Sequence, residues 1–459
     1  MKQEKNSKRL GTEAIVPLLI KLSIPSILAM IIQATYNVVD SIFVGNYSTE
    51  AFAALSLAFP IQIVLIAIAV GTGVGTSSFI SRQLGRNDKS KAVSAAKHAL
   101  VLTVIYGLIV GLASLFISEE LIALSTDRQI LVDLGSEYIR IILMGSIALF
   151  LPIIGNDILR GEGNTFLPMV IMLIGAILNI ILDPFLIYGY GPFPELGIAG
   201  AAIATVFSRV ISGVFLLFIL FSGKNELQID FKKFTPDLGI LKEIYRVGFP
   251  AIIMQSLASV MIIVLNKILG SYSTLAVAAG GIYFRLQSFV FMPVFGLNQG
   301  YMPIMGYNFG NNNPERMKKT IKSAFVIAAG FTIIGFLIFQ IFPEPLVKLF
   351  SENNEPELIR LGTIALRRIS LAFPIIGLAI IISTTFQAIG KGLPSLLLSV
   401  TRQFIILIPA FYLLSKYYGL NAVWYAFPIS EVITLILGGI WLYNELNRIF
   451  NKFRKANNS

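Results

Sequence analysis

Leu178-Asn-Ile-Ile-Leu-Asp-Pro-Phe-Leu186 lies inside an apolar run from Phe166 to Tyr188, long enough to cross a bilayer as one helix. A carboxylate at Asp183 is costly in such a segment, so an intramembrane acid points first to function. Asn179 precedes it by one helical turn and shares its face. Pro184 has no backbone N–H, which leaves the Ile180 carbonyl free to accept another donor or a cation. One carboxylate, one amide oxygen and one freed carbonyl form part of a small cation or proton site.

The rest of the chain places that run in a membrane. Of 459 residues, 55% are hydrophobic and only 13% charged, and mean hydropathy is +0.78. Soluble chains carry nearer a quarter charged residues. With no cysteine, disulfides and thiolate metal sites are excluded, and the single histidine, His98, argues against His-based zinc chemistry. The basic start, Met1 to Leu10, runs into a long apolar helix without a small-residue cleavage pattern, and no removable signal peptide is expected.

A net charge of +11 suggests nucleic acid only until the charges are placed. Basic residues gather in alternate loops: Lys2, Lys5, Lys8 and Arg9; Arg82, Arg86, Lys89 and Lys91; Lys224, Lys232, Lys233, Lys242 and Arg246; Arg316, Lys318, Lys319 and Lys322; Arg448, Lys452, Arg454 and Lys455. The intervening loops are acid-rich, with Glu119, Glu120 and Asp127, then Glu195, then Glu344, Glu352, Glu355 and Glu357. This is the positive-inside pattern, with both termini cytoplasmic and an even number of spans. The expected location is the cell membrane, with membrane lipid as partner and no nucleic acid.

Twelve apolar segments fit: 14–44, 51–80, 92–117, 130–159, 166–188, 196–222, 241–270, 275–306, 319–342, 357–389, 394–415 and 420–444. The polar connection 223–240 divides them six and six, giving an N-lobe over 1–222, a cytoplasmic linker, and a C-lobe over 241–459. The halves repeat at a constant offset of 225 residues: Gly45-Asn-Tyr-Ser-Thr49 with Gly270-Ser-Tyr-Ser-Thr274, Gly71 and Gly75 with Gly296 and Gly300, Leu84-Gly-Arg-Asn-Asp88 with Phe309-Gly-Asn-Asn-Asn313, and Pro184 with Pro409. Six helices per copy preserve orientation. The fold class is therefore all-α integral membrane, with two lobes related by a pseudo-two-fold along the membrane normal, as in transporters built from parallel repeats.

Where the copies differ, the first carries the chemistry. Asp40, Asn179 and Asp183 align with Leu265, Phe404 and Ile408, and Thr205 with Phe427 at a slightly different offset. At ~1.5 Å per residue, these four lie at one depth in the outer half of the bilayer. Tyr36 and Asn37 share the Asp40 face, with Gln33 a turn further in. Two carboxylates in a low-dielectric cavity repel, so one is expected to hold a proton. Na⁺ could replace that proton, with Asn179, Thr205 and the Ile180 carbonyl as further ligands, and these residues serve either ion. Asn156 and Asp157 either join this site or cap their helix. Glu431 is expected to pair with Arg285 or Arg402, Arg209 to answer a first-half acid, and His98 to be a bystander.

Tyr36-Asn-Val-Val-Asp40, Gly73-Val-Gly-Thr-Ser77, Arg160-Gly-Glu-Gly163, Leu178-Asn-Ile-Ile-Leu-Asp-Pro184 and Gly200-Ala-Ala-Ile-Ala-Thr205 together resemble the multidrug and toxic compound extrusion (MATE) family, in its DinF-like branch. The resemblance implies an antiporter that exports amphipathic, often cationic compounds in exchange for H⁺ or Na⁺, without a cofactor, and a monomer is expected. It puts coupling on Asp40 and Asp183, with Asn179 and Thr205 as companions, and substrate contacts on Gln33, Asn156 and Asn179; Tyr36 and Asn37 join them as neighbours of Asp40. The NorM-like branch instead has acids on helices 7 and 10, where this chain has Gln255 and Gln387. The alternative function is a lipid-linked oligosaccharide flippase, which needs a cavity rich in arginine; Arg285, Arg367, Arg368 and Arg402 are its candidates. An intramembrane enzyme is disfavoured, because no His-Glu-x-x-His motif or activated nucleophile is present. Nothing resembles a channel filter.

Overall fold

A computed structural model describes residues 5–223, 225–351 and 355–457; Lys2, Lys224 and Glu352 lie outside them. The first half runs α1 (Lys5–Thr12), α2 (Ile15–Tyr47), α3 (Thr49–Gly85), α4 (Lys89–Ala123), α5 (Gln129–Met144), α6 (Ser146–Gly161), α7 (Phe166–Ile187) and α8 (Gly197–Phe221). The second runs α9 (Leu238–Gly270), α10 (Thr274–Gly310), α11 (Pro314–Ile341), α12 (Pro343–Lys348), α13 (Pro356–Ser370), α14 (Phe373–Ala388), α15 (Gly392–Val400), α16 (Ile408–Tyr418) and α17 (Ala426–Asn457). Among the described residues there is no strand. Among the described residues ten helices are long and apolar enough to cross a membrane, and counting the bent pairs α5–α6 and α13–α14, each kinked by 52°, as one span apiece gives twelve. The sequence reads each bent pair as one helical span, 130–159 and 357–389. Gly145 and the Leu371–Ala372 step interrupt them without breaking their hydropathy. Large apolar side chains such as Phe116, Ile109 and Phe218 are exposed on the outside, as a lipid-facing surface requires.

The internal repeat is reproduced down to single caps. Ser48 accepts from the N–H groups of Glu50 and Ala51 at the start of α3, and Ser273, its counterpart, accepts from Ala276 N–H at the start of α10. Asp88 caps α4 through Lys91 N–H and Asn313 caps α11 through Arg316 N–H. The residue before each cap is the same outlier: Asn87 at φ 61° and Asn312 at φ 50°, a left-handed conformation that asparagine tolerates because its side chain can bond locally. Helices α3 and α10 thus overrun their apolar windows and end where this turn chemistry stops them.

The lobes interlock at the end of the bundle that carries both termini. The first helix of each lobe starts in the core of the other: Ile15, Leu18, Leu19 and Leu22 of α2 pack with α10 and α11, while Ile240 and Ile244 of α9 join the first lobe's core. Glycines allow the crossings. A Cβ on Gly75 would run into the Ile244 carbonyl of α9, and one on Gly300 would press on Leu22 and Ser23 of α2. A Cβ on Gly85 would strike the Tyr307 carbonyl, and one on Gly310 the Arg82 carbonyl. Arg82 also reaches across to Glu243 at 3.4 Å, and Ser78 Oγ donates to the Gln387 carbonyl at 2.6 Å.

The chain ahead of α2 and the α8–α9 connection fasten the same end. Arg316 donates to the Leu10 and Glu13 carbonyls at 3.1 and 2.9 Å. His98 does more than stand by: its Nδ1 bonds to the Ser94 carbonyl at 2.7 Å and its Nε2 receives the Asp237 N–H at 2.8 Å, tying α4 to the start of α9. Ser7 N–H donates to Glu226 Oε2 at 2.8 Å, and Glu226 N–H to Glu162 Oε2 at 3.2 Å. Burial first, and then the neighbouring Glu226 carboxylate, push the Glu162 carboxyl up to about 8.

Candidate functional site

Helices α2, α7 and α8 converge in the outer half of the first lobe. α7 and α8 form a tight hairpin, in which Leu196 N–H donates to the Leu186 carbonyl at 3.1 Å. A Cβ on Gly200 would collide with that carbonyl. The close approach sets Thr205 of α8 against Asn179 of α7. Asn179 Nδ2 donates to Asp183 Oδ1 at 3.1 Å, one turn along its own helix, and to Thr205 Oγ1 at 3.4 Å. All three are buried, Asp183 at 0% exposure. Asp40 brings the second carboxyl from α2, beside that of Asp183. Arg209, one turn beyond Thr205, acts electrostatically on Asp40.

What this cluster lacks is donors. Asp40 Oδ1, Asp183 Oδ2 and Asn179 Oδ1 are all buried without a hydrogen-bond partner. A buried acceptor left unpaired costs roughly 1–3 kcal/mol, and more when charged. Two carboxyls in contact cannot both carry a full charge at tolerable energy unless something cationic joins them. The set therefore suits a proton shared between the acids, or a small hard cation held by oxygen.

These acids sit behind a larger space. Between the lobes lies a cavity of about 720 Å³ whose wall includes Gln33, Tyr36, Asn156, Asn179 and Thr205. Asn179 and Thr205 are thus the shared partition: they face the cavity and also bond toward the acid pair. Asp40 and Asp183 are not on the wall. Neither is Asn37, which is exposed and is not brought into the group. Asn156 and Asp157 do not cap α6. Both are buried on the cavity wall, and Asp157 Oδ1 holds Arg160 Nη1 at 2.8 Å. Gly73 is needed here, since a Cβ would overlap the Asp157 carboxylate.

The far wall belongs to the second lobe, and much of it was passed over in the sequence. Asn298 and Gln299 of α10, Gln403 and Thr434 line it beside Gln255, Gln387 and Arg402. An Asn-Gln pair between Gly296 and Gly300 was a visible signal, because two amides in an apolar span need a wet or polar face. Glu431 pairs with Arg402, Nη1 to Oε1 3.3 Å, and not with Arg285. Arg285 and Arg367 are exposed and Arg368 stacks on Tyr425. Of the four arginines the flippase alternative counted, only Arg402 reaches the cavity.

The MatE family model matches residues 25–185 and again 250–413, once per lobe. The chain belongs to the MatE family. This MatE transporter is 29% identical over 429 residues to the multidrug export protein MepA of Staphylococcus haemolyticus, with 93% of each chain covered. It is 30% identical over 435 residues to an FAD transporter of Shewanella oneidensis, with 94% of each covered. An outward-facing multidrug resistance MATE family transporter of the MOP superfamily superposes with TM-score 0.91 at 30% identity, over 97% of this chain and 98% of that one. A MOP superfamily transporter from Pyrococcus furiosus, whose binding pocket is described as having reverse polarity, superposes with TM-score 0.90 at 30% identity and the same coverage.

Proposed function

We propose that this MatE chain is a multidrug efflux antiporter, and not an enzyme, that couples export to entry of H⁺ or Na⁺ through Asp40 and Asp183. The observation that carries the reading is the set of three buried, unpartnered oxygens on Asp40, Asn179 and Asp183. The export half is supported by MepA, a relative covered along nearly its whole length.

The partition supplies a coupling route. Asn179 donates to Asp183 and to Thr205 while facing the cavity. A cation taken up by Asp40 and Asp183 claims the Asp183 oxygens and the Asn179 amide oxygen, and so turns the Asn179 side chain that the substrate also meets. Ion and substrate then compete through one amide, which is the linkage antiport requires. The lobes are sealed at the end carrying both termini. With that end placed in the cytoplasm of a plasma-membrane protein, the conformation faces outward, ready to release substrate and load the ion.

The test uses purified protein in liposomes with ethidium, imposing a pH gradient and a Na⁺ gradient separately. Wild type is expected to move dye under at least one of them. Asp183→Asn is expected to bind dye and fail to move it, because the amide keeps the size of the side chain and loses the charge. Unaltered gradient-driven transport in Asp183→Asn would remove the acid pair from coupling.

A further inference from the structure

The charges on the cavity wall are unbalanced toward positive. Four charged side chains line it: Asp157, Arg160, Arg209 and Arg402. Asp157 is already committed to Arg160 at 2.8 Å, while Arg209, on the first lobe's side, acts electrostatically on Asp40 and keeps one buried Nη1 without a hydrogen-bond partner. Arg402 is the one charged residue that the second lobe presents.

Its partner is placed differently. The Arg402 side chain is 30% exposed and that of Glu431 only 8%, and Glu431 is not on the wall. A molecule in the cavity therefore meets the guanidinium before the carboxylate. The pair itself is long at 3.3 Å, where a well-seated N⁺–H···O⁻ bond measures about 2.7–2.9 Å. Gln403 and Thr434 line the cavity beside it, exposed by 4% and 6%. Gln403 Oε1, Thr434 Oγ1 and Glu431 Oε2 are all buried without a partner. Of these three atoms only the Thr434 hydroxyl can also donate, and it sits beside the Arg402 guanidinium on the wall; so many unpaired polar atoms in one place are not explained by packing.

The backbone at this point is distorted as well. Thr401–Leu407 forms a π-helical stretch, closed by Ile408 N–H donating to the Gln403 carbonyl. Pro409 has no N–H to give the Ile405 carbonyl, which permits the widened turn. Such turns gather at functional sites. Pro184, its counterpart, lies within α7, which is helical throughout, so the distortion belongs to the second lobe's side of the repeat.

We propose that Arg402, Gln403 and Thr434 form a subsite for the phosphate or similar oxyanion of an amphipathic substrate, with Glu431 as the internal counter-ion that the substrate displaces. The guanidinium fork and the hydroxyl and amide donors match an oxyanion with several acceptor oxygens. The apolar body lies against Phe295, Ile380 and Met302, which line the same cavity. The subsite rests on the reading that this cavity carries the transported molecule.

The two halves of one ion pair should then act with opposite sign. In phosphatidylcholine nanodiscs, the full chain is titrated with riboflavin 5′-phosphate and with riboflavin, which share a ring and differ by the phosphate. The phosphate form is expected to bind about tenfold tighter, the worth of one hydrogen-bonded charge contact. Arg402→Gln should erase that preference and leave riboflavin unchanged. Glu431→Gln should increase it, because the guanidinium loses its competitor. The charge-neutral double variant Arg402→Gln/Glu431→Gln avoids stranding a buried carboxylate and should also show no preference. Equal binding of the two flavins, or no binding of either, would overturn the subsite; so would both single variants shifting the preference the same way. Adding phosphatidylglycerol separates sources. Displacement of the flavin phosphate assigns the subsite to a lipid headgroup, and no displacement assigns it to a soluble phosphate. Ethidium export, followed in parallel, keeps this result apart from the antiport reading. Driven ethidium export with equal flavin binding overturns the subsite alone, whereas loss of driven export with the preference intact overturns antiport alone.

Discussion

Replacing both Gly85 and Gly310 by alanine should open the sealed end of the molecule. Each new Cβ would meet a backbone carbonyl of the opposite lobe, Tyr307 for one and Arg82 for the other. Backbone cannot rotate away as a side-chain tip can, so the strain falls in the usual overpacking range of about 1–3 kcal/mol per site. The gain in helix propensity on leaving glycine, about 1 kcal/mol, is present in either arrangement of the lobes and cancels from the equilibrium between them. The strain does not cancel, because it exists only while the lobes touch at this end. Even one site's worth shifts the balance toward the open form by about 5- to 150-fold. The chain has no cysteine, so a single thiol can report the shift. Ser81 is fully buried at this seam and lies against Gly306. Thiol labelling of Ser81→Cys should therefore be slow in the parent and faster by that factor in the double alanine variant, with the thermal transition retained. Labelling that stays slow in a folded double variant would refute the idea that these glycines set the conformational balance.

Two further outcomes follow from buried charge. Glu162 titrates at about 8 in the folded chain against an ordinary 4.5, so folding takes up a proton between those values. Its stabilising contribution is complete below about 4.5 and is lost as pH rises toward 8. The melting temperature should fall across that window in wild type and less steeply in Glu162→Gln; parallel slopes would contradict the assignment. Asp157→Ala leaves the buried Arg160 guanidinium without its carboxylate. It should cost about 3–5 kcal/mol of stability, read as a lowered unfolding temperature, and a loss below 1 kcal/mol would show that Arg160 finds another partner.

The sequence by itself determined the membrane class, the candidate spans, the internal repeat and where the first lobe carries acids and amides that the second does not. Hydropathy and the spacing of Gly, Asn and Asp are one-dimensional signals, and a duplicated chain carries its own control: Asp40 against Leu265 and Asp183 against Ile408 could be compared without any second protein. Only the tertiary structure decided which of those residues share a space. Asn37 is on the Asp40 face by helical arithmetic, yet it is exposed and lies off the cavity wall. Asp157 looked equally able to cap a helix, until α3 brought Gly73 against it. The crossing of α2 and α9 into each other's lobes has no local signature, since the apolar residues that swap cores are indistinguishable from those that do not. The second lobe's wall, with Arg402 partly exposed and Glu431 hidden behind it, depends on rotation of α17 and on a widened turn that Pro409 permits but does not dictate. Side-chain burial is a property of what lies opposite, and what lies opposite comes from another helix.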